Sequence, residues 1–458
     1  MSVVPKEIAL FVKPKEIKGI NNIYYVNYRA KNKIRKNSPV EIVIPASSQD
    51  LTLLSQSRLH VKARILDENG DPLNWIDVDT SSETPGVSIV NHMAASLWRQ
   101  IDLQLNTQII SPHISVNYPY KAIIDTLLNY SSEAKKSSLQ AQGFYKDTAY
   151  QFNDSSNSGH IKRKKLLELG QIIDLEGPLY LDICQQNRAI LNGVEILIKA
   201  FPTADAFRIF TKIDGKAYQV EILDVFLRAC HIKLQDSAVV VINEQLKRKP
   251  AIYPMLTSSI KAYTIPAQTY TYSIEDSFNS YVPAELVVAF VKSKAYSGDY
   301  AENPYFFHHF DVNYLEFSIN GKSVPSEAIT PSFKFQREWK SLPQADPENP
   351  VPPLGEEVVS ETYYESGGYV NEFLNLFKGR EPQTEGIDIE REDFAGGYAL
   401  FVFRMKHNLG TDAFSMPERG YTRLNLRLRQ PSSESITCLL YGKFQDSVAI
   451  DLVRTVTV

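Results

Sequence analysis

Hydrophobic and polar positions alternate along most of the chain, and this pattern predicts β-strands. Between residues 59 and 65, apolar side chains alternate with His, Lys and Arg, and the turn sequence Asp-Glu-Asn-Gly follows at 67–70. Period-two alternation places one face of a strand in a core and the other in solvent. The same pattern predicts further strands at 101–105, 179–184, 194–199, 218–234, 260–265, 286–292, 312–319, 398–404, 421–429 and 436–452.

Three segments have the spacing of amphipathic helices instead. Residues 119–130 (PYKAIIDTLLNY) begin with proline in the first turn, where proline is favoured. Residues 369–379 (YVNEFLNLFKG) place Phe and Leu side chains on one face, and residues 236–247 (DSAVVVINEQLK) begin at an aspartate suited to cap a helix. Two prolines follow this last helix, so we predict a linker at 236–256 between two strand-rich halves.

The two halves also resemble each other. The strand in IDLQLNTQIIS (101–111) ends at Asn106, and the strand in LEFSINGKSVP (315–325) ends at Asn320. A predicted helix follows in each case, with about 35 additional residues before it in the second half. This insertion contains the Pro-rich, acidic segment 341–357, which is typical of a long surface loop. A tandem duplication explains the repeat.

Composition narrows the class of protein. The 458 residues are 43% hydrophobic and 22% charged, which is ordinary globular usage and excludes coiled coil and global disorder. The length fits two large β-sandwiches, and no apolar run is long enough for a membrane-spanning helix. The N-terminus does not read as a secretory signal. Three widely spaced cysteines, at 184, 230 and 438, exclude a disulfide framework and favour a reducing compartment.

Charge is distributed unevenly. The whole chain has a net charge of −4, but residues 1–36 carry nine Lys and Arg against two Glu, which gives +7 and leaves −11 elsewhere. We predict a basic N-terminal arm, with a solvated terminus as the alternative, formed by Lys6, Lys13, Lys15, Lys18, Arg29, Lys31, Lys33, Arg35 and Lys36. A second candidate basic loop contains Lys162, Arg163, Lys164 and Lys165.

Candidate catalytic and metal-binding residues do not form a site in the sequence. The adjacent His308 and His309 would point to opposite faces of a strand, with no second His or Cys cluster nearby. Phosphate-binding and serine-nucleophile motifs are absent, and Cys230 has no matched base. We therefore predict no enzyme activity and no catalytic, cofactor-binding or metal-binding residue.

The ordered segments resemble the hexon-like double jelly-roll major capsid proteins of Polinton or Maverick elements (adintoviruses). The resemblance runs over nearly the whole chain. It is carried by IPASSQDLTLLSQSRLHVKARILDENGDP (44–72), VSIVNHMAASLWRQIDLQLNTQIIS (87–111), YPYKAIIDTLLNYSSEAKKSSLQAQGFYKD (118–147), LNGVEILIKAF (191–201), YQVEILDVFLRACHIKL (218–234) and the segments 262–325 and 426–452.

This resemblance implies an all-β chain of two tandem eight-stranded jelly-roll β-sandwiches, at 37–235 and 257–458, with a few short helices in the connecting loops. Three copies would form a trimer whose six jelly rolls look hexagonal and tile an icosahedral shell around double-stranded DNA. Implied partners are the chain itself, penton and other minor capsid proteins, and packaged DNA at the N-terminal arm. No cofactor or small-molecule substrate is implied.

The resemblance also implies where the chain would act. It would lie in the virion capsid, assembled in the nucleus or cytoplasm of a host cell. We expect trimer contacts in loops 118–147 and 362–380, with the candidate aromatic residues Tyr120, Tyr305, Phe306, Tyr363, Tyr364 and Tyr369. The alternatives are a tandem β-sandwich that binds or acts on glycans, and a capsid-derived protein retained for a cellular task.

Overall fold

The structure, a computed structural model, describes residues 19–46, 50–73, 86–110, 117–213, 215–333, 335–340, 360–365, 368–378, 386–406 and 418–458. For residues 335–340 and 360–365 it describes the backbone and not the side chains. No helix among these described residues is both long and apolar enough to cross a lipid bilayer.

Strands dominate both halves of the chain. Those of the first half are β1 (Ile20–Arg29), β2 (Val40–Ile44), β3 (Asp50–Leu66), β4 (Ser88–Ile89), β5 (Trp98–Leu105), β6 (Gln108–Ile109), β7 (Ile173–Pro178), β8 (Ile196–Pro202), β9 (Ile209–Phe210) and β10 (Gln219–Leu234). Those of the second half are β11 (Ala251–Ile265), β12 (Thr271–Glu275), β13 (Glu285–Lys292), β14 (Val312–Ile319), β15 (Lys322–Ser323), β16 (Phe335–Lys340), β17 (Ser360–Glu365), β18 (Leu400–Arg404), β19 (Thr422–Leu428), β20 (Ile436–Ile450) and β21 (Val456–Thr457).

Helices are short and lie between strands. They are α1 (Met93–Ser96), α2 (Tyr118–Asn129), α3 (Ser132–Lys136), α4 (Ser158–Lys164), α5 (Asp205–Arg208), α6 (Asp236–Leu246), α7 (Ser293–Ser297), α8 (Val370–Asn375) and α9 (Arg391–Ala395). The three helices expected from the sequence are confirmed as α2, α6 and α8.

The two halves have the same sheet topology. Among the described residues, the first half forms one sheet in the order β1-β10-β3-β7 and a second in the order β2-β8-β5-β6. The second half repeats these orders as β11-β20-β13-β18 and β12-β19-β14-β15. Each half is therefore an eight-stranded jelly roll, in which two antiparallel sheets enclose a core. The strand order confirms the predicted all-β fold and the repeat.

Asn106 and Asn320 occupy equivalent positions in the two jelly rolls. Both adopt a left-handed conformation, with φ of 52° and 50°, which asparagine tolerates better than most residues. The Asn106 backbone N–H donates to Glu195 O at 2.8 Å, and its side-chain oxygen accepts from Glu195 N at 2.9 Å. Asn320 makes the same pair of bonds with Tyr421, both at 2.8 Å. The paired asparagines thus end equivalent strands in the same way.

Three sequence expectations are corrected by the strand boundaries. Residues 20–29 are not part of a free arm: Tyr and Val side chains favour a strand, and β1 pairs with β10 at the sheet edge. The predicted linker 236–256 overlaps β11, which accepts Pro254 because an edge strand needs donors on one side only. Residues 179–184 are not a strand, because β7 ends at Pro178 and Asp182–Cys184 form a 3₁₀ turn.

The core of each jelly roll includes side chains from the other half of the chain. The first core contains Tyr253, Val448 and Ile450 from the second half. The second core contains Phe144 and Phe207 from the first half. Because each core includes side chains of the other half, the two sandwiches pack against each other as one body.

Candidate functional site

Helix α2 packs against both jelly rolls. Its residues Tyr118 and Ala122 belong to the first core, whereas Ile123, Ile124 and Leu127 belong to the second. The sequence favours this placement because apolar side chains cover more than one face of the helix, which is typical of a buried helix. We call α2 and the side chains around it from both halves the junction.

A row of buried charges crosses the junction. Lys121 Nζ lies 2.8 Å from Asp125 Oδ2 and 3.1 Å from Asp182 Oδ1. Asp125 also contacts two residues of the second half: Tyr441 OH donates to it at 2.8 Å, and Lys443 Nζ lies 3.5 Å away. The carboxylate of Asp125, which is 1% exposed, is thus surrounded by donors from both jelly rolls.

The row continues into the second jelly roll. Lys443 Nζ lies 3.5 Å from Glu285 Oε1. Glu285 also forms an ion pair with Arg404, whose Nη2 lies 2.9 Å from Oε2. At the opposite end, Asp182 accepts hydrogen bonds from the backbone N–H and the hydroxyl of Ser258, both at 2.8 Å. The alternating charges balance one another, as burial away from water requires.

The electrostatic environment keeps these groups ionised. Burial alone would lower the pKa of Lys121, but Asp125 and Asp182 outweigh burial and hold this pKa well above its usual range. Burial alone would raise the pKa of Asp125, but Lys121 and Lys443 outweigh it and hold this pKa well below its usual range. Both charges therefore persist across the physiological pH range.

A group of aromatic rings packs beside the charges. The Tyr120 ring lies 5.6 Å from Tyr296 in a stacked arrangement, and it contacts Phe207 and Tyr305 edge to face at 5.9 and 5.8 Å. Phe307 lies 6.5 Å away. Such ring pairs add about 0.5–1.5 kcal/mol each beyond burial of their area. Since Tyr120 and Phe207 come from the first half and the others from the second, this group fastens the two jelly rolls together.

Asp147 forms a third contact across the junction. Its carboxylate accepts hydrogen bonds from Arg163 Nη2 at 2.7 Å and from Asn157 Nδ2 at 2.8 Å. Its backbone carbonyl accepts from Tyr398 OH of the second half at 2.8 Å. Charged, aromatic and hydrogen-bonded contacts together fix the relative orientation of the two jelly rolls.

Three of the aromatic residues predicted to contact other copies lie instead inside the chain. Tyr120, Tyr305 and Tyr369 are buried. Tyr120 and Tyr305 belong to the aromatic group of the junction, and Tyr369 packs against Phe333 at 5.1 Å. The expectation that loop 118–147 makes trimer contacts is corrected for helix α2, which is buried between the two halves, whereas for residues 130–147 it stays a prediction.

The remaining predicted aromatics are less informative. Phe306 is half-buried and stacks on Phe152 at 4.6 Å, so it too contributes to the contact between the halves. Tyr363 and Tyr364 lie in β17, and their side chains fall outside the described residues. In the segment 362–380, the described helix α8 has Val370 and Leu374 exposed.

The predicted basic loop at 162–165 is a helix with two buried cations. Arg163 and Lys164 are 1% and 0% exposed, and only Lys162 and Lys165 face solvent. The expectation of an exposed basic cluster is wrong because Arg163 points inward to Asp147 and donates to the backbone carbonyls of Ile89 and Tyr145, both at 3.0 Å. The cluster contributes to folding and offers little charge for a partner.

The predicted basic arm divides into two parts. Lys6, Lys13, Lys15 and Lys18 lie outside the described residues. Arg29 belongs to β1 and pairs with Asp224 at 2.7 Å, and Lys36 lies 3.4 Å from Asp205. Lys31, Lys33 and Arg35 are exposed. The described part of the arm is thus attached to the first jelly roll.

The junction charges were not anticipated from the sequence. Lys121 and Asp125 stand four residues apart in an otherwise apolar helix, which is a signal for a buried pair. The second-half partners of Asp125, Tyr441 and Lys443, lie more than 300 residues away on β20, and no local feature indicates the contact.

Two buried histidines predict loss of stability in acid. Burial lowers the pKa of His92 to about 3, and burial together with Arg163 and Lys164 lowers that of His160 to about 3. The unfolded chain, with a histidine pKa of about 6.5, binds protons first as the pH falls. Stability should therefore decline between about pH 6.5 and 3, by about 2 kcal/mol per histidine at pH 5.

Urea midpoints at pH 7 and pH 5 check this prediction. The His92→Gln variant should show a weaker pH dependence than the wild-type chain, whereas His309→Gln, at a half-buried position, serves as the control. An equal pH dependence in wild type and His92→Gln would contradict the assignment of His92 as buried and neutral.

The described residues contain no group of three or more His, Cys, Asp and Glu side chains that could hold a metal ion. His308 packs on Phe306 and His309 stacks on Phe333, so the two imidazoles face different neighbours. Burial raises the pKa of the Cys230 thiol, which disfavours the reactive thiolate. The arrangement is suited to fixing two sandwiches in one orientation.

Two jelly rolls in tandem define a double jelly-roll protein. Among solved structures, the chain is similar to a chain of the Sputnik virophage, with a TM-score of 0.57 and 9% identity over 100% of this chain and 92% of that one. It is similar to the mavirus major capsid protein, with a TM-score of 0.52 and 12% identity over 100% of this chain and 95% of that one. It is also similar to the Faustovirus major capsid protein, with a TM-score of 0.53 and 7% identity over 96% of this chain and 93% of that one.

Sequence comparison gives one further relative. An uncharacterized protein of Caenorhabditis elegans, F54H12.2, is 24% identical over 317 residues, which cover 69% of this chain and 74% of that protein. No protein-family model matches the chain. At these identities the likeness to solved structures establishes the fold, which is the double jelly roll of viral major capsid proteins.

Proposed function

We propose that the chain is a hexon-like viral major capsid protein that assembles as a homotrimer. The observation that carries this proposal is the likeness of both jelly rolls, over nearly their full length, to the major capsid proteins of mavirus and Faustovirus. A shell subunit acts through its shape and its contacts, so the proposal requires no catalytic site.

The junction supports a trimer of hexagonal outline. Each chain supplies two sandwiches with the same strand order, so three chains around a closed axis present six similar faces. The outline depends on a fixed angle between the two sandwiches. The buried charges around Asp125 and the rings around Tyr120 provide that fixed angle.

Contacts between copies should use side chains other than the buried aromatics. Exposed apolar side chains occur on the edge strand β1, at Ile23 and Tyr25, and on helix α6, at Val240 and Val241. Exposed apolar residues are candidates for contact when they group on one element. A stable trimer interface of this type buries at least about 2,000 Å².

The finer assignment follows the sequence resemblance. We place the chain with the Polinton or Maverick (adintovirus) capsid proteins, in a shell that encloses double-stranded DNA and includes penton and minor capsid proteins. The chain would then reside in the virion capsid, after assembly in the nucleus or cytoplasm of its host cell.

Light scattering of the purified chain tests the proposed trimer. Three copies of the 51.9 kDa chain give a mass of about 156 kDa. A concentration-independent mass of about 52 kDa would contradict the proposal. A sugar-binding tandem sandwich, in contrast, would bind glycans as a monomer.

Deletion of residues 1–18 is expected to leave the trimer intact and impair particle formation. These residues precede β1, which is held in the sheet by β10, and they carry four lysines able to contact phosphate groups. Light scattering measures the trimer, and electron microscopy counts the particles. A loss of the trimer itself would contradict a peripheral role for this segment.

A further inference from the structure

A cleft opens beside the aromatic group of the junction. It has a volume of about 610 Å³ and is lined by side chains of both halves. Pro119 and Tyr120 contribute from α2, Phe201 and Pro202 from the end of β8, and Tyr296 from α7. Aromatic and proline side chains thus form part of its walls, as they do in grooves that bind extended proline-containing peptides, and polar side chains line the rest.

The rim of the cleft is positively charged. Arg99 is exposed and makes no ion pair within the part of the chain that the structure describes. Lys36 lies 3.4 Å from Asp205, and Asp205 is also paired with Arg208. Because Arg99 is exposed and no carboxylate among the described residues pairs with it, its guanidinium is available to an acidic ligand.

One segment of the chain has the matching chemistry. Residues 341–357 (SLPQADPENPVPPLGEE) contain five prolines and four acidic residues, with no Lys or Arg. Proline-rich segments favour the polyproline II conformation, in which the backbone carbonyls have no internal partner. Prolines would suit the aromatic walls, and acidic side chains would suit Arg99.

The segment connects two paired strands and is long enough to extend well beyond their ends. Lys340 and Ser360 are paired across strands β16 and β17, so residues 341–359 connect the two ends of a hairpin. With a rise of roughly 3.3 Å per residue, a connection of this length can reach about 30 Å from the hairpin end.

We propose that the cleft binds the acidic, proline-rich segment 341–357 of a second copy of this chain. This inference rests on the proposed function, because the trimer brings the second copy close. Around a closed threefold axis each copy would donate its segment to one neighbour and receive one from the other. Binding of the segment in the cleft would thus stabilise the trimer.

Peptide binding tests the cleft directly. A fluorescent peptide of residues 341–357 is titrated with a chain in which a Gly-Ser sequence of equal length replaces this segment, and fluorescence anisotropy is measured. We expect saturable binding that weakens at least tenfold in Arg99→Glu and is unchanged in Lys247→Glu, an exposed lysine on another surface. Absence of binding, or equal binding by Arg99→Glu, would overturn the proposal.

Mixing two variants tests whether the ligand is a second copy. Arg99→Glu has an altered cleft and an intact segment, whereas the Gly-Ser chain has an intact cleft and no segment. Each alone should trimerise at least tenfold more weakly than wild type, and an equal mixture should recover part of the trimer by mass. No recovery would overturn exchange between copies and indicate binding within one chain.

The outcomes separate this inference from the proposed function. A stable wild-type trimer with no peptide binding would overturn the inference and leave the capsid proposal intact. A wild-type chain that is monomeric at every concentration would overturn the capsid proposal, and with it the exchange between copies, whatever the peptide does.

Discussion

Replacing Asp125 with alanine should lower the free energy of unfolding by about 3–5 kcal/mol. The substitution removes the carboxylate that Lys121, Lys443 and Tyr441 share. Lys121 and Lys443 are both 6% exposed, so water cannot replace the lost partner. Breaking a buried ion pair is strongly destabilising because a charge remains buried without its full compensation. Urea unfolding at fixed protein concentration and pH measures the change.

An exposed ion pair provides the matched control. Lys247 lies 2.6 Å from Glu244 on α6, with side chains 58% and 55% exposed, and Glu244→Ala should change stability by less than about 1 kcal/mol. If Asp125→Ala also changed stability by less than 1 kcal/mol, the junction charges would not hold the two jelly rolls together.

Replacing Arg163 with methionine should lower the free energy of unfolding by a similar amount, about 3–5 kcal/mol. Its guanidinium donates to Asp147 and to the backbone carbonyls of Ile89 and Tyr145. Methionine fills much of the same volume but donates no hydrogen bond, so these acceptors lose a charged partner. The change is measured by urea unfolding as above.

The neighbouring lysine separates a structural role from a role in binding phosphate. Lys162 is exposed beside Arg163 on α4, and Lys162→Met should leave stability within about 0.5 kcal/mol of wild type. If Arg163→Met were as stable as wild type but bound DNA more weakly, the original expectation of an exposed basic cluster would be restored.

Local pattern was sufficient to predict most of the strands and the helices α2, α6 and α8. The alternation at 59–65 and the helical spacing at 119–130 depend on neighbouring residues, which the sequence shows directly. The predicted equivalence of Asn106 and Asn320 is also confirmed, because the left-handed turn that each makes favours a particular residue type at one position.

Burial of particular side chains could not be predicted in this way. Tyr120, on the predicted helix 119–130, was expected to contact other copies, and Arg163 was expected to belong to an exposed basic cluster. Both are buried because their contacts come from the other half or from a distant loop, as with Tyr305 and Asp147. The duplicated fold could therefore be predicted from the sequence, whereas the junction between its two halves could not.

Electron microscopy of the purified, full-length chain tests the central claim most directly. We expect averaged images to show particles with threefold symmetry and six lobes, two for each chain, viewed along the axis. Averages that show only isolated two-lobed particles, at concentrations where the chain is fully folded, would contradict the assignment as a trimeric capsid subunit.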